Sequence, residues 1–251
     1  MHQIQTESSK IMLELRNICY EVDVDNERKE ILKNVSLTID EHFVAITGPN
    51  GSGKSTLAKM IAGIIQPTSG QILLDGEDIT SLNITERAKK GISFAFQQPV
   101  HFKGLTVKDL ISIAAGKTMS VTEVCNILSE VGLCARDYID REINNSLSGG
   151  ELKRIEIAMI LARGTKLSIF DEPEAGIDLW SFNSLIKVFE KMRDEIHGTI
   201  LIISHQEKIL NTADKIVVLA NGEIEKIGSR EEILPTLLYT SRSCQTLADK
   251  Q

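Results

Sequence analysis

The stretch that most constrains this chain is "GPNGSGKST", Gly48 to Thr56. It fits the pattern G-x-x-x-x-G-K-[ST] and lies between a strand-like run, "HFVAIT", and a helical pattern, "KSTLAKMIAGII". Glycines at these positions free the backbone to fold around phosphates, with successive N–H groups pointing inward beside a helix N-terminus. Nucleotide binding is therefore expected at Gly48, Pro49, Asn50, Gly51, Ser52, Gly53, Lys54, Ser55 and Thr56. In that chemistry Lys54 bridges the β- and γ-phosphates and the Ser55 hydroxyl ligates Mg²⁺.

Such a loop needs a sheet to carry it. "MLELRNICYEV" and "EILKNVSLTID" read as strands before it, and "GQILLDGEDI" as a return to strand after the helix. From roughly Thr106 to Asn145 apolar residues recur three and four apart, as in "VKDLISIAAG" and "VTEVCNILSEVGL". Strands resume with "KLSIFD" and "TILIIS". A hairpin, "KIVVLANGEIEKIG", closes the pattern on Asn221-Gly222, a pair suited to a type I′ turn. This alternation predicts an α/β fold with a mostly parallel sheet covered on both faces. The helical block, about residues 104–163, reads as a subdomain inserted into a single domain spanning 1–251.

Composition removes several classes. A net charge of −7 with 4% aromatic residues argues against nucleic-acid binding, which needs clustered cations and stacking surfaces. No apolar run reaches the roughly 18 residues that cross a bilayer, and "MHQIQTESSK" lacks the apolar segment of a signal peptide. A cytoplasmic chain not itself inserted in a membrane is expected. Cys19, Cys125, Cys134 and Cys244 lack metal-site spacing and read as reduced thiols.

In "KLSIFDEPEAGID", Asp171 and Glu172 end a buried strand, on the side of an open α/β sheet where ligands bind. Asp171 is placed to hold Mg²⁺, and Glu172 to orient the attacking water as a general base. Gln97, in "AFQQPV", follows a strand-like run and can reach metal and water through its amide. His205 ends "TILIIS" and can touch the γ-phosphate, although a lone histidine there is more often a surface residue.

In "NSLSGGELKRIEIAMILAR", the cost of about 1 kcal/mol for each glycine in a helix interior assigns Gly149 and Gly150 to a loop before the helix. With Ser148 they form an anion site at a helix N-terminus. Glu156, on its way into the apolar seam, has a plain reading as a solvated residue pairing with Lys153.

Phosphate loop, glutamine loop, "LSGGE", "IFDEP", "AGID" and "SH", in that order, resemble the ABC-type ATPases from about Leu13 to Leu234. The resemblance implies a P-loop ABC ATPase core with an antiparallel β subdomain and an inserted helical subdomain, using ATP and Mg²⁺. It also implies an ATP-dependent homodimer arranged head to tail. Ser148, Gly149 and Gly150 would close over the γ-phosphate held by the other copy, and Asp178 would link the two sites.

One departure concerns adenine. Val22 stands where the family usually stacks an aromatic residue, and Tyr20, two residues earlier on the same strand face, is a candidate substitute. A second concerns the partner. "SGGELKRIEIAMIL", "AFQQPV" and "SHQEKIL" are similar to the SufC-type ATPases of iron–sulfur cluster assembly, which implies a SufB/SufD-like scaffold as partner. "DEPEAGID" and the short helical block differ from that type, and the role of Glu174 is not legible. The alternative is the ATP-binding subunit of a membrane transporter, docking on a permease.

Overall fold

The computed structural model describes residues 12–24, 27–98, 102, 104–143, 147–195 and 198–238. Pro99 and Val100 of the glutamine-loop match, Asn145 and Ser146 before the signature, and Cys244 lie outside the described residues. The chain opens with a long hairpin, β1 (Leu13–Val24) and β2 (Glu27–Ile39), then β3 (Phe43–Thr47), the phosphate loop and α1 (Lys54–Ile61). Short strands β4 (Ser69–Leu74) and β5 (Glu77–Asp78) and helix α2 (Ile84–Lys89) lead to β6 (Ile92–Ala95). Four helices follow: α3 (Val107–Ala115), α4 (Val121–Glu130), α5 (Ala135–Tyr138) and α6 (Gly149–Arg163). The last part alternates as β7 (Leu167–Asp171), α7 (Leu179–Glu195), β8 (Thr199–Ile203) and α8 (Glu207–Leu210), closing with β9 (Lys215–Ala220) and β10 (Glu223–Ser229).

These strands form two sheets. The larger has the order β10-β9-β3-β8-β7-β6, and only the β10–β9 pair within it is antiparallel. Strands β3, β7 and β8 are buried at every residue, as expected of parallel strands covered on both faces. Their alternate side chains enter two different cores. Phe43, Phe170, Ile200 and Ile202 point into one that includes α3, α4, α6 and α7. Val44, Ile46, Ile169 and Leu201 point into the other, against α1 and the second sheet. That second sheet, β2-β1-β4-β5, is antiparallel throughout.

The closing hairpin turns on Asn221 (φ 52°) and Gly222 (φ 83°), both left-handed as a type I′ turn requires. It docks on β2 through a 2.8 Å bond from Lys33 N–H to the Gly222 carbonyl. Helices α3 and α4 start in capping boxes, Thr106 with Asp109 and Ser120 with Glu123. Among the described residues no helix is long and apolar enough to cross a membrane.

Candidate functional site

The phosphate loop leaves β3 through a turn that only glycine fits. Gly48 has φ 139°, and a Cβ there would lie 1.9 Å from the Leu219 carbonyl oxygen. Gly51 (φ 77°) and Gly53 (φ 99°) are also left-handed, and Gly53 caps α1, whose first-turn N–H groups have no intrahelical acceptors. Lys54 folds over the loop, its Nζ donating to the carbonyls of Gly48 (2.9 Å) and Pro49 (2.8 Å). Burial lowers the Lys54 ammonium below its ordinary range, opposed by Glu172 and Asp171. The Ser52 hydroxyl is buried with no hydrogen-bond partner, while Pro49, Asn50 and Gly51 are exposed.

One helical turn holds Ser55 against the acidic strand end, its Oγ donating to Asp171 Oδ1 at 2.8 Å. Burial raises the Asp171 carboxyl, and the neighbouring Glu172 adds to the rise. A hydroxyl and a carboxylate are hard oxygen donors. They fit Mg²⁺, which takes one or two protein oxygens and completes its shell with phosphate and water. A fuller protein cage is not required, and among the described residues no group of three or more His, Cys, Asp or Glu forms one.

Beside this pair, three side chains distant in sequence converge. Gln97 Nε2 donates to Glu172 Oε2 at 2.7 Å, and His205 Nε2 lies 3.2 Å from Glu172 Oε1. Glu172 itself has φ 45°, a left-handed conformation that costs a non-glycine residue about 1–2 kcal/mol. Its N–H is tied to the Ile203 carbonyl at 3.0 Å, which fixes β7 to the strand that delivers His205.

Glu174, unassigned from sequence, lies behind this cluster. One carboxylate oxygen accepts from the buried Ser204 hydroxyl and the other is buried without a partner. Burial raises its carboxyl above the ordinary value. Ser204 Oγ also accepts from Gln206 N–H at 3.0 Å, so the contact brackets His205.

The signature residues form a second group, and here the structure corrects the sequence expectation. Gly149 and Gly150 are the first residues of α6, not a loop before it. The penalty for glycine applies to helix interiors, whereas first-turn N–H groups lack intrahelical partners anyway. What demands glycine is close packing. A Cβ on Gly150 would lie 2.5 Å from Ser181 Cβ, and one on Gly149 would lie 3.2 Å from the Gly176 carbonyl oxygen. Ser148 caps the helix in a box with Glu151, visible in sequence as S-x-x-E. Asp178 caps α7. Its Oδ1 accepts from Trp180 N–H (2.9 Å) and Ser181 N–H (3.0 Å), and its Oδ2 from Ser181 Oγ (2.7 Å). Ser181, not picked out from sequence, thus joins Gly150 to Asp178.

Glu156 is not a solvated helix residue. It pairs with Lys153 at 3.2 Å, as expected, but also accepts Phe96 N–H at 3.1 Å beside the glutamine loop. Tyr20 is half-buried and packs against the second core, and the β1–β2 register shift that follows it places the extra residue, Ile31, on β2.

Residues 32–175 match the model of a family described as ABC transporter. An uncharacterized ABC transporter ATP-binding protein of Methanocaldococcus jannaschii is 40% identical over 214 residues, covering 82% of this chain and 85% of that protein. The energy-coupling factor transporter ATP-binding protein of Ureaplasma parvum is 34% identical over 230 residues, 90% of this chain and 76% of that protein. The dimeric post-hydrolysis state of an ATP-binding cassette bound to ADP and Pi aligns with a TM-score of 0.77 at 28% identity, covering 87% of this chain and 98% of that one. The family match contains the phosphate loop, the glutamine, the signature and the acidic pair, and the chain belongs to the ABC transporter family as an ABC-type ATPase.

Proposed function

We propose that this chain is the ATP-hydrolysing subunit of an ABC system, acting as a head-to-tail pair with ATP between the copies. The observation that carries the reading is the convergence of Gln97 and His205 on Glu172, next to the Ser55–Asp171 pair. The phosphate-loop amides and Lys54 bind the phosphates, and Ser55, Asp171 and Gln97 are the residues that would hold Mg²⁺. Bound there, the cation would neutralise charge on the β- and γ-phosphates. Glu172 takes a proton from the attacking water, while Gln97 and His205, one on each carboxylate oxygen, fix its orientation. His205 also reaches the γ-phosphate. Ser148, Gly149 and Gly150 of one copy close over the γ-phosphate of the other, and Asp178 ties this signature group to the copy-copy contact. We read the chain as one cassette domain, with the helices between about residues 104 and 163 inserted in it as a subdomain.

The partner is better read as a membrane permease than as the soluble scaffold expected from motif details. The relatives named above are ATP-binding proteins of transporters. An apolar groove of about 280 Å³ beside the glutamine loop, lined by Ile84, Phe94, Phe96, Phe102 and Met159, suits a short helix of such a permease. A SufB/SufD-like scaffold remains as a second reading, favoured by one contact. Glu156 of the signature helix grips Phe96 of "AFQQPV", so two features similar to the SufC type are one structural unit.

Two measurements test the proposal. Purified protein should hydrolyse ATP only with Mg²⁺, at a specific rate that rises with protein concentration as pairs form. A Mg²⁺-independent rate, or none at any concentration, would overturn the ATPase reading. Isolation of the native complex should then yield a polytopic membrane protein, whereas a soluble β-rich scaffold would reverse the choice of partner.

A further inference from the structure

Phe96 is held at both of its backbone polar groups by one helix. Glu156 Oε1 accepts its N–H at 3.1 Å, and Lys153 Nζ donates to its carbonyl. Lys153 and Glu156 face each other at 3.2 Å, one turn apart on α6. The Lys153 side chain is only 2% exposed, and a cation so buried persists only where its partners are fixed. The Phe96 carbonyl belongs to the same peptide plane as the Gln97 nitrogen, so holding it sets the direction in which Gln97 leaves the backbone. Gln97 then reaches Glu172 at 2.7 Å. The half-exposed Phe96 ring lies edge-on to Phe94, with centroids 4.9 Å apart, in the wall of the apolar groove that Glu156 also lines.

We propose that Lys153 and Glu156 are positioning residues that clasp the Phe96 peptide, set Gln97 against the catalytic Glu172, and make the groove wall and the catalytic carboxylate move together. The proposal rests on the ATPase reading above. Lys153 and Glu156 act through Gln97, and their helix is capped by Ser148, so one helix bears both the signature and the clasp.

The test uses the full chain and two independent readouts. In the absence of nucleotide, Glu156→Ala should speed amide exchange at Phe96 by about tenfold or more, whereas Glu156→Gln, whose amide oxygen still accepts that N–H, should retain protection. In Mg²⁺-ATP turnover, Glu156→Ala should lower kcat by about tenfold with KM for ATP within about twofold, and should add no further loss in a Gln97→Ala background. Lys153→Met, which frees the Phe96 carbonyl, should lower kcat in the same way with KM little changed and with no further loss in the Gln97→Ala background, and serves if Glu156→Ala does not fold. Unchanged Phe96 protection, or losses that add to those of Gln97→Ala, would overturn the clasp. A wild-type chain without ATPase activity but with the exchange pattern expected here would instead refute the proposed reaction while leaving the clasp standing.

Discussion

Gly150 of α6 and Ser181 of α7 approach so closely that a Cβ on the glycine would lie 2.5 Å from the serine Cβ. The contact brings the signature helix and the Asp178 cap together, because Ser181 donates both its N–H and its hydroxyl to Asp178. Gly150→Ala should therefore destabilise the fold by about 1–3 kcal/mol, the usual cost of overpacking a closed contact. Ser181→Gly removes the opposing Cβ, so the double variant should recover much of the loss. Denaturant midpoints of the two single variants and the double variant check this, and simple additivity would show that the two positions do not clash.

Glu172 carries both a chemical and a conformational burden. Glu172→Gln keeps the side-chain shape and the Gln97 contact but cannot accept a proton, so ATP hydrolysis should fall by about 10²–10⁴ while ATP affinity changes only a few-fold. A long-lived ATP-bound pair should then be visible by size-exclusion chromatography with light scattering. Near-normal turnover would remove Glu172 from the role of general base. Because φ is 45° at this position, Glu172→Gly should also be more stable than Glu172→Ala, by about 1 kcal/mol in thermal unfolding.

How much of this was legible in the sequence follows from how local each feature is. The phosphate loop and the Asn221-Gly222 turn are set by residues adjacent in the chain, and both could be read directly. The convergence of Gln97, Glu172 and His205 depends on β6, β7 and β8 being neighbours, and only likeness to a family suggested it. Gly149 and Gly150 were misplaced because their requirement comes from α7, a contact that helix propensity cannot register. Glu156 looked like a surface charge because its second partner, Phe96, is sixty residues away in sequence.

Glu174 predicts a specific pH dependence. Burial raises its carboxyl above the ordinary glutamate value of about 4.3, with nearby Glu172 adding to the rise and Ser204 opposing it. The folded state therefore binds this proton more tightly than the unfolded chain does. Its stabilising effect is fully present below the unfolded value and is lost as pH rises through the folded one. Glu174→Gln removes the ionisation while keeping an acceptor for Ser204. The variant should gain stability relative to wild type as pH is raised from 4 towards 7.5, with little difference at the acid end. Urea midpoints across that range decide it, and a pH-independent difference would mean that the fold does not raise the Glu174 carboxyl.

Trp180 offers the most direct view of the pair. It is the single tryptophan of the chain, it is 83% exposed, and it follows Asp178 by two residues at the start of α7. Leu179 beside it is 67% exposed, so two large apolar side chains stand together at the proposed copy-copy contact. Aromatic residues are enriched in interfaces, and this pair suits a surface covered by the second copy. If the copies meet through this edge, Mg²⁺-ATP added to the Glu172→Gln variant should shift tryptophan emission to shorter wavelength and reduce quenching by acrylamide. The change should follow protein concentration in parallel with the mass measured by light scattering. Trp180→Ala should weaken pairing while leaving nucleotide affinity of the single copy unchanged, because the residue lies outside the phosphate loop. Emission that stays red-shifted while the mass doubles would place the contact elsewhere on the molecule.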